Sequence, residues 1–211
     1  MKLLFVTATN TNIGKTFASL KLIENIAKHK IEVGVCKPIE TGVIYEPIDA
    51  KKLLKKVQIY NKKFKSMRPK DITAYTFELP SAPFCADIKR EINIEKIKDK
   101  IKELSKLSDI LIIEGAGGLF VPITKDYMMI DLAKELKAKV LLVTPSKLGC
   151  INDTLLSIEA LKNRNIDFDW CVNLYEDREE FKKVTQPFYD SYFNEKWWFL
   201  DDKLENFIEK I

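Results

Sequence analysis

The sequence predicts an α/β fold in which a mostly parallel sheet carries helices on both faces. Three observations lead there. Apolar runs that read as buried strands alternate with amphipathic helical patterns along the 211 residues, an order that requires crossover connections and hence parallel pairing. Six of the seven glycines, Gly14, Gly42, Gly115, Gly117, Gly118 and Gly149, fall just after a strand or at the start of a helix. In an open parallel sheet such turns gather at the carboxyl ends of the strands, where ligands bind. Finally, the first strand enters a loop of small and polar residues that ends Gly14-Lys15-Thr16 before a helix, the setting in which backbone N–H groups and a helix N-terminus hold phosphate.

In chain order, residues 2–7 form the first strand around Leu3-Leu4-Phe5-Val6, and a helix follows over 16–29. A second strand spans 32–36. Leu53, Leu54 and Val57 recur at helical spacing and place a helix over 50–59. A further helix is expected over 94–107, then a strand at 110–113, four apolar residues in a row. Helix 129–136, strand 140–144, helix 154–163, strand 170–173 and helix 179–189 complete the alternation. No repeat or Gly/Ser linker interrupts it, so residues 1–211 read as a single domain.

Composition narrows the chemistry. An apolar content of 46% supports a full core. The opening MKLLFVTA is too short for a secretory signal, and nothing approaches the ~18 uninterrupted apolar residues of a membrane span; a cytoplasmic protein without membrane contact is expected. Four cysteines stand far apart without a CxxC pair, and His29 is the single histidine, in a lysine-flanked polar stretch. These argue against zinc, a disulfide framework, and Ser-His-Asp or Cys-His catalysis. The net charge is +4, and residues 51–70 hold nine basic side chains and no acid. Tyr60 and Phe64 could serve as stacking groups for nucleic acid, but Lys51, Lys52, Lys55 and Lys56 fit the wet face of an amphipathic helix better. No nucleic-acid partner is expected.

Four stretches carry candidate chemistry. In ATNTNIGKT, Ala8 to Thr16, Lys15 would reach the β- and γ-phosphates and Thr16 would ligate Mg²⁺, although the strict phosphate-loop pattern wants glycine where Thr9 stands. In CKPIETG, Cys36 to Gly42, Pro38 limits where Lys37 can point and favours the site. In ILIIEGAGG, an apolar strand delivers Glu114 toward a metal, and the glycines offer backbone for a flat substrate. Asp49 is a further oxygen ligand or an N-cap. In SKLGCINDT, glycine and free N–H groups at a helix start suit an anionic group such as a carboxylate, with capping by Asn152 or Asp153 as the plainer use.

Taken together, ATNTNIGKT, CKPIETG, IIEGAGG and KLGCIN, in this order and spacing, resemble dethiobiotin synthetase, a family of P-loop enzymes of biotin biosynthesis, over roughly residues 1–175. The family's loop reads G-T-D-T-x-V-G-K-T; Ala8 replaces its first glycine and Asn10 its aspartate, so the loop is a P-loop variant one residue longer than the strict motif. The resemblance implies a P-loop NTPase fold and a reaction in which ATP, CO₂ and 7,8-diaminononanoate give dethiobiotin, ADP and phosphate. It implies Lys37, Lys15 and Thr11 as catalytic residues, and Thr16, Asp49 and Glu114 as the Mg²⁺ set. ATP is expected against Asn12, Ile13, Gly14, Lys15, Thr16, Phe17, Gly115, Ala116, Gly117 and Asn173, with the last near the base. The diamine is expected against Thr11, Lys37, Thr41, Gly117, Gly118, Leu148, Gly149, Cys150 and Asn152.

The family resemblance also implies a homodimer with a tyrosine reaching the partner's site, for which Tyr189 and Tyr192 are the candidates. Beyond Asn173 the chain departs from the family. A proline-containing segment that helps hold adenine is replaced by YFNEKWWFLDD, so weak discrimination among nucleotides is expected. The rival reading is a nucleotide switch of the chromosome- or septum-positioning type, an ATPase whose membrane tail would be residues 200–211, with Leu204, Phe207, Ile208 and Ile211 on one face. That helix is acidic, which favours packing against the domain or a partner subunit over anionic lipid.

Overall fold

The computed structural model describes every residue except Glu195 and Lys203. In chain order it contains β1 (Lys2–Ala8), α1 (Lys15–Lys28), β2 (Val33–Cys36), β3 (Ile39–Thr41), α2 (Ile48–Tyr60), β4 (Tyr75–Phe77), α3 (Pro83–Ala86), α4 (Ile94–Ser105) and β5 (Ile110–Gly118). There follow β6 (Pro122–Thr124), β7 (Tyr127–Met128), α5 (Met129–Glu135), β8 (Lys139–Thr144), α6 (Cys150–Asn163), β9 (Phe168–Val172), α7 (Arg178–Glu180), α8 (Gln186–Phe193), β10 (Trp198–Phe199) and α9 (Leu204–Ile208).

Six strands form one sheet in the order β10-β9-β8-β1-β5-β2, and every pairing in it is parallel. Successive side chains of a strand point to opposite faces. Leu4, Phe5 and Val6 of β1 and Val140 to Val143 of β8 are all fully buried, so helices cover both faces of the sheet centre. The α/β expectation therefore holds.

Several boundaries differ from the sequence reading, for identifiable reasons. The β5 strand runs on through Glu114 to Gly118, with Val6 opposite Glu114 and Ala8 opposite Gly118. Glycine permits this approach, because a Cβ on Gly118 would stand 2.7 Å from the Thr9 carbonyl oxygen. The helix expected at 154 begins at Cys150, after Gly149 turns the chain at φ 91°. The helix expected over 179–189 is interrupted by a π turn at Phe181–Thr185 before α8. Pro187 has no N–H to return to the preceding turn, which accounts for the irregularity.

Short elements went unread. β3 pairs with β4 in a separate two-stranded sheet, and β6 with β7 in another. At the carboxyl end of the chain, Trp170, Phe181, Tyr189 and Trp197 pack edge to face and stacked, and Trp198 stacks on Phe207. Leu204, Phe207 and Ile208 are buried, so the apolar face of α9 packs against the domain.

Candidate active site

The loop after β1 turns on two residues of positive φ, Asn12 at 60° and Gly14 at 107°. It is held by the segment that follows β9. The Asn173 amide donates to the Ile13 carbonyl at 2.9 Å, and a Cβ on Gly14 would lie 2.2 Å from that amide nitrogen. The Tyr175 hydroxyl donates to the Asn12 carbonyl at 3.0 Å. Glycine at position 14 thus serves both the turn and the close contact with Asn173. At the top of the loop, Lys15 Nζ donates to the Asn10 carbonyl at 2.9 Å. Burial, then the nearby Lys37 charge, pull the Lys15 pKa down to about 8 against the attraction of Glu114 and Asp49.

Lys37 leaves the end of β2 and turns inward. Its Nζ donates to Glu114 Oε1 at 2.8 Å and to the Gly115 carbonyl at 3.0 Å, and stands 3.7 Å from Asp49 Oδ2. Thr16 Oγ1 donates to the same Glu114 oxygen at 2.9 Å. Thr16 and Lys37 therefore meet at Glu114, with Asp49 beside Lys37. Burial alone would lower the Lys37 pKa, but Glu114 and Asp49 outweigh it and raise it. The ammonium stays charged.

Pro47 holds the N-cap position of α2, so Asp49 lies in the first helical turn and does not cap the helix. The cap comes from Glu40 on β3, whose Oε1 accepts from Asp49 N at 2.8 Å and whose Oε2 accepts from Ala50 N at 2.9 Å. Burial raises the Glu40 pKa, and those two N–H bonds oppose the rise.

The residues open into a cleft of about 630 Å³. One wall is the loop with Thr11, Asn12, Gly14, Lys15 and Thr16; Lys37, Glu40 and Asp49 form the base; Thr41, Pro80, Ala82, Pro83, Ala116, Gly117 and Val121 form the remaining walls. A divalent cation fits the base. Glu114 Oε2 is buried without a hydrogen-bond partner, and the donor set of one hydroxyl and two carboxylates is the sparse oxygen set that Mg²⁺ takes when substrate phosphates and water fill the rest. Among the described residues no group of three or more His, Cys, Asp and Glu suits a metal held by protein alone.

The other expected site residues are dispersed. Ile13 is buried under the loop, Asn173 braces it, and Gly115 lies beneath Lys37. Phe17 is 46% exposed on α1 and takes no part in lining the cleft. Gly118 borders a smaller hollow with Thr9, Asn10, Phe120 and Leu156. Leu148, Gly149, Cys150 and Asn152 line neither: Leu148 is 99% exposed, and Cys150 is buried. Tyr189 is fully buried, with its hydroxyl on Thr154 Oγ1, whereas Tyr192 is exposed.

Sequence reasoning missed Glu40, Lys52 and the Pro80–Pro83 wall. Lys52, expected on the wet face of α2, lines the cleft. Its position three residues after Asp49 was a usable signal, since such residues are neighbours on a helix.

Residues 2–170 match the family model described as "AAA domain". A relative from Sulfurovum sp. (strain NBC37-1), named ATP-dependent dethiobiotin synthetase, is 56% identical over 211 residues, covering 100% of both chains. Another of that name, from Wolinella succinogenes, is 35% identical and covers 100% of this chain and 98% of its own. Among solved structures, a plasmid partition protein from Borrelia burgdorferi superposes with a TM-score of 0.59 at 12% identity, over 100% of this chain and 99% of that one. This last likeness is one of fold alone.

Proposed function

The chain belongs to the ATP-dependent dethiobiotin synthetase family of P-loop ligases, and we propose that its cleft carboxylates 7,8-diaminononanoate with CO₂ and closes the ureido ring through a carbamate–phosphate anhydride. One observation carries the reading: Thr16 and Lys37 both donate to Glu114, and Asp49 stands beside Lys37, next to the Gly14-Lys15-Thr16 loop.

The chemistry needs fixed positive charge more than a base. One amine of the substrate captures CO₂ as a carbamate and loses a proton. A carbamate oxygen attacks the γ-phosphorus of ATP, and ADP leaves. The second amine then attacks the carbamoyl carbon and the C–O bond breaks, so that phosphate departs with that oxygen and takes up the proton the ring nitrogen loses. Negative charge gathers at the same place in each step, and preorganised cations stabilise it best in a site closed to water. Lys15 would leave the Asn10 carbonyl for the phosphates, and Lys37 would face the carbamate and the γ-phosphate together. Thr16, Asp49 and Glu114 would hold Mg²⁺, which would neutralise phosphate charge when bound. Thr11, Thr41, Ala116 and Gly117 would orient the substrate.

The segment around Leu148 to Asn152, at the start of α6, suits a homodimer. Leu148, Phe120 and Leu156 are exposed by 99%, 57% and 62%, and Phe120 and Leu156 share the hollow that reaches Gly118. Exposed apolar groups gathered beside a site favour a protein partner. A second copy would cover them and bring Leu148, Gly149, Cys150 and Asn152 to the diamine's carboxylate.

The test is phosphate release with ATP and Mg²⁺, adding bicarbonate and the diamine singly and together, with dethiobiotin quantified in parallel. Release that requires both, matched one for one by dethiobiotin, is expected. Rapid release indifferent to the diamine would favour a nucleotide switch. Sedimentation of the native chain and of Leu148→Glu tests the dimer, which the variant should dissociate.

A further inference from the structure

A helix begins with N–H groups that lack partners, and an N-cap side chain ordinarily accepts from the second or third residue. Pro47, at the N-cap of α2, offers no side-chain acceptor. Both of those N–H groups, of Asp49 and Ala50, are nevertheless bonded, one to each oxygen of Glu40. Glu40 is 7% exposed. It lies on β3, which is itself fixed by pairing Ile39 with Tyr75 and Thr41 with Phe77. Its carboxylate also meets the positive end of the helix dipole.

The bonds do more than begin a helix. Lys37 lies three residues before Glu40, and Asp49 Oδ2 stands 3.7 Å from Lys37 Nζ. Glu40 therefore ties the peptide of one expected metal ligand to the segment that carries the active-site lysine. A local N-cap would start the helix equally well but would leave α2 free to shift against β3. We propose that Glu40 is a positioning residue: as a remote cap, it sets Asp49 against Lys37 and Glu114 and so tunes the metal affinity of the site. The inference rests on the reading of Asp49 as a metal ligand.

The test compares Glu40→Gln, Glu40→Ala, the double variant Glu40→Ala/Pro47→Asp and Asp49→Asn. Two readouts need no turnover: amide exchange of Asp49 and Ala50 in metal-free protein by NMR, and Mn²⁺ affinity of the ADP-bound protein by electron paramagnetic resonance. Glutamine keeps the shape and satisfies one N–H, so it should give an intermediate effect. Alanine should speed exchange at both amides and weaken Mn²⁺ binding about tenfold, a usual size for losing a residue that orients a metal ligand. In the double variant, an aspartate at position 47 can cap the same N–H groups, so slow exchange should return while Mn²⁺ affinity stays low. Native Mn²⁺ affinity in Glu40→Ala, or full recovery in the double variant, overturns the positioning role. Asp49→Asn separates the two readings: unchanged affinity there overturns the metal assignment and this proposal with it, whereas weakened affinity there beside native affinity in Glu40→Ala overturns the positioning role alone.

Discussion

Lys37 and Glu114 form an ion pair with Nζ 2.8 Å from Oε1, and their side chains are 4% and 0% exposed. Removing one partner of such a buried pair leaves the other charge without compensation, at a cost of about 3 kcal/mol or more. Lys37→Gln should therefore lower stability in urea as well as activity. Lys37→Arg keeps the charge, but the planar guanidinium cannot occupy the position between Glu114 and the Gly115 carbonyl. Both variants should lose on the order of 10²-fold or more in kcat, the size of a lost transition-state charge contact. Near-normal turnover in both would make Lys37 a structural residue only.

Asp49 and Glu114 should separate in stability while agreeing in metal dependence. The Asp49 side chain is 36% exposed, and that of Glu114 is closed to solvent. Asp49→Asn should unfold at nearly the native urea midpoint, and Glu114→Gln well below it. Each should raise the Mg²⁺ concentration needed for half-maximal rate. Unchanged Mg²⁺ dependence in both would remove the metal assignment.

Base discrimination should be weak. The Asn173 amide is committed to the Ile13 carbonyl beneath the loop, and the segment after β10 reads Leu200-Asp201-Asp202, without proline. The kcat/KM values for ATP, GTP and CTP at one Mg²⁺ concentration should lie within ~10³ of one another. A larger preference requires a built hydrogen-bonding site for adenine.

Thiol reactivity checks the core independently of catalysis. Cys36, Cys150 and Cys171 are buried, and burial raises the pKa of each. A raised pKa means less thiolate at neutral pH and slower attack. Cys85 is exposed on α3. Native protein should yield one fast thiol with a disulfide reagent, lost in Cys85→Ser, and the remaining thiols only on unfolding.

What was legible in the sequence followed from long, uniform signals. Apolar runs such as Ile110 to Ile113 have one low-energy use, a strand buried on both faces, and Gly14-Lys15-Thr16 after such a run has a backbone consequence of its own. Lys37 and Glu114 are legible because each directly follows a run of buried residues, Lys37 after Val33–Cys36 and Glu114 after the apolar first half of β5. Glu40 is not, since its partners lie across a turn at Pro47 and only the pairing of β3 with β4 aims it there. Strands of two or three residues, such as Trp198–Phe199, carry too little pattern to be read. Leu148 to Asn152 look like site residues from their motif, but burial and exposure are properties of the folded chain, and they place this segment outside the cleft.

The proposed reaction is tested most directly by the fate of CO₂ oxygen. Freshly dissolved ¹⁸O-labelled CO₂, supplied with ATP, Mg²⁺ and the diamine in ordinary water, should deliver one labelled atom to phosphate and one to the ring carbonyl per turnover, after correction for exchange. That result follows if a carbamate oxygen attacks the γ-phosphorus and leaves with it on ring closure. Unlabelled phosphate, released at the same rate with or without the diamine, would contradict the ligase reaction and the anhydride alike.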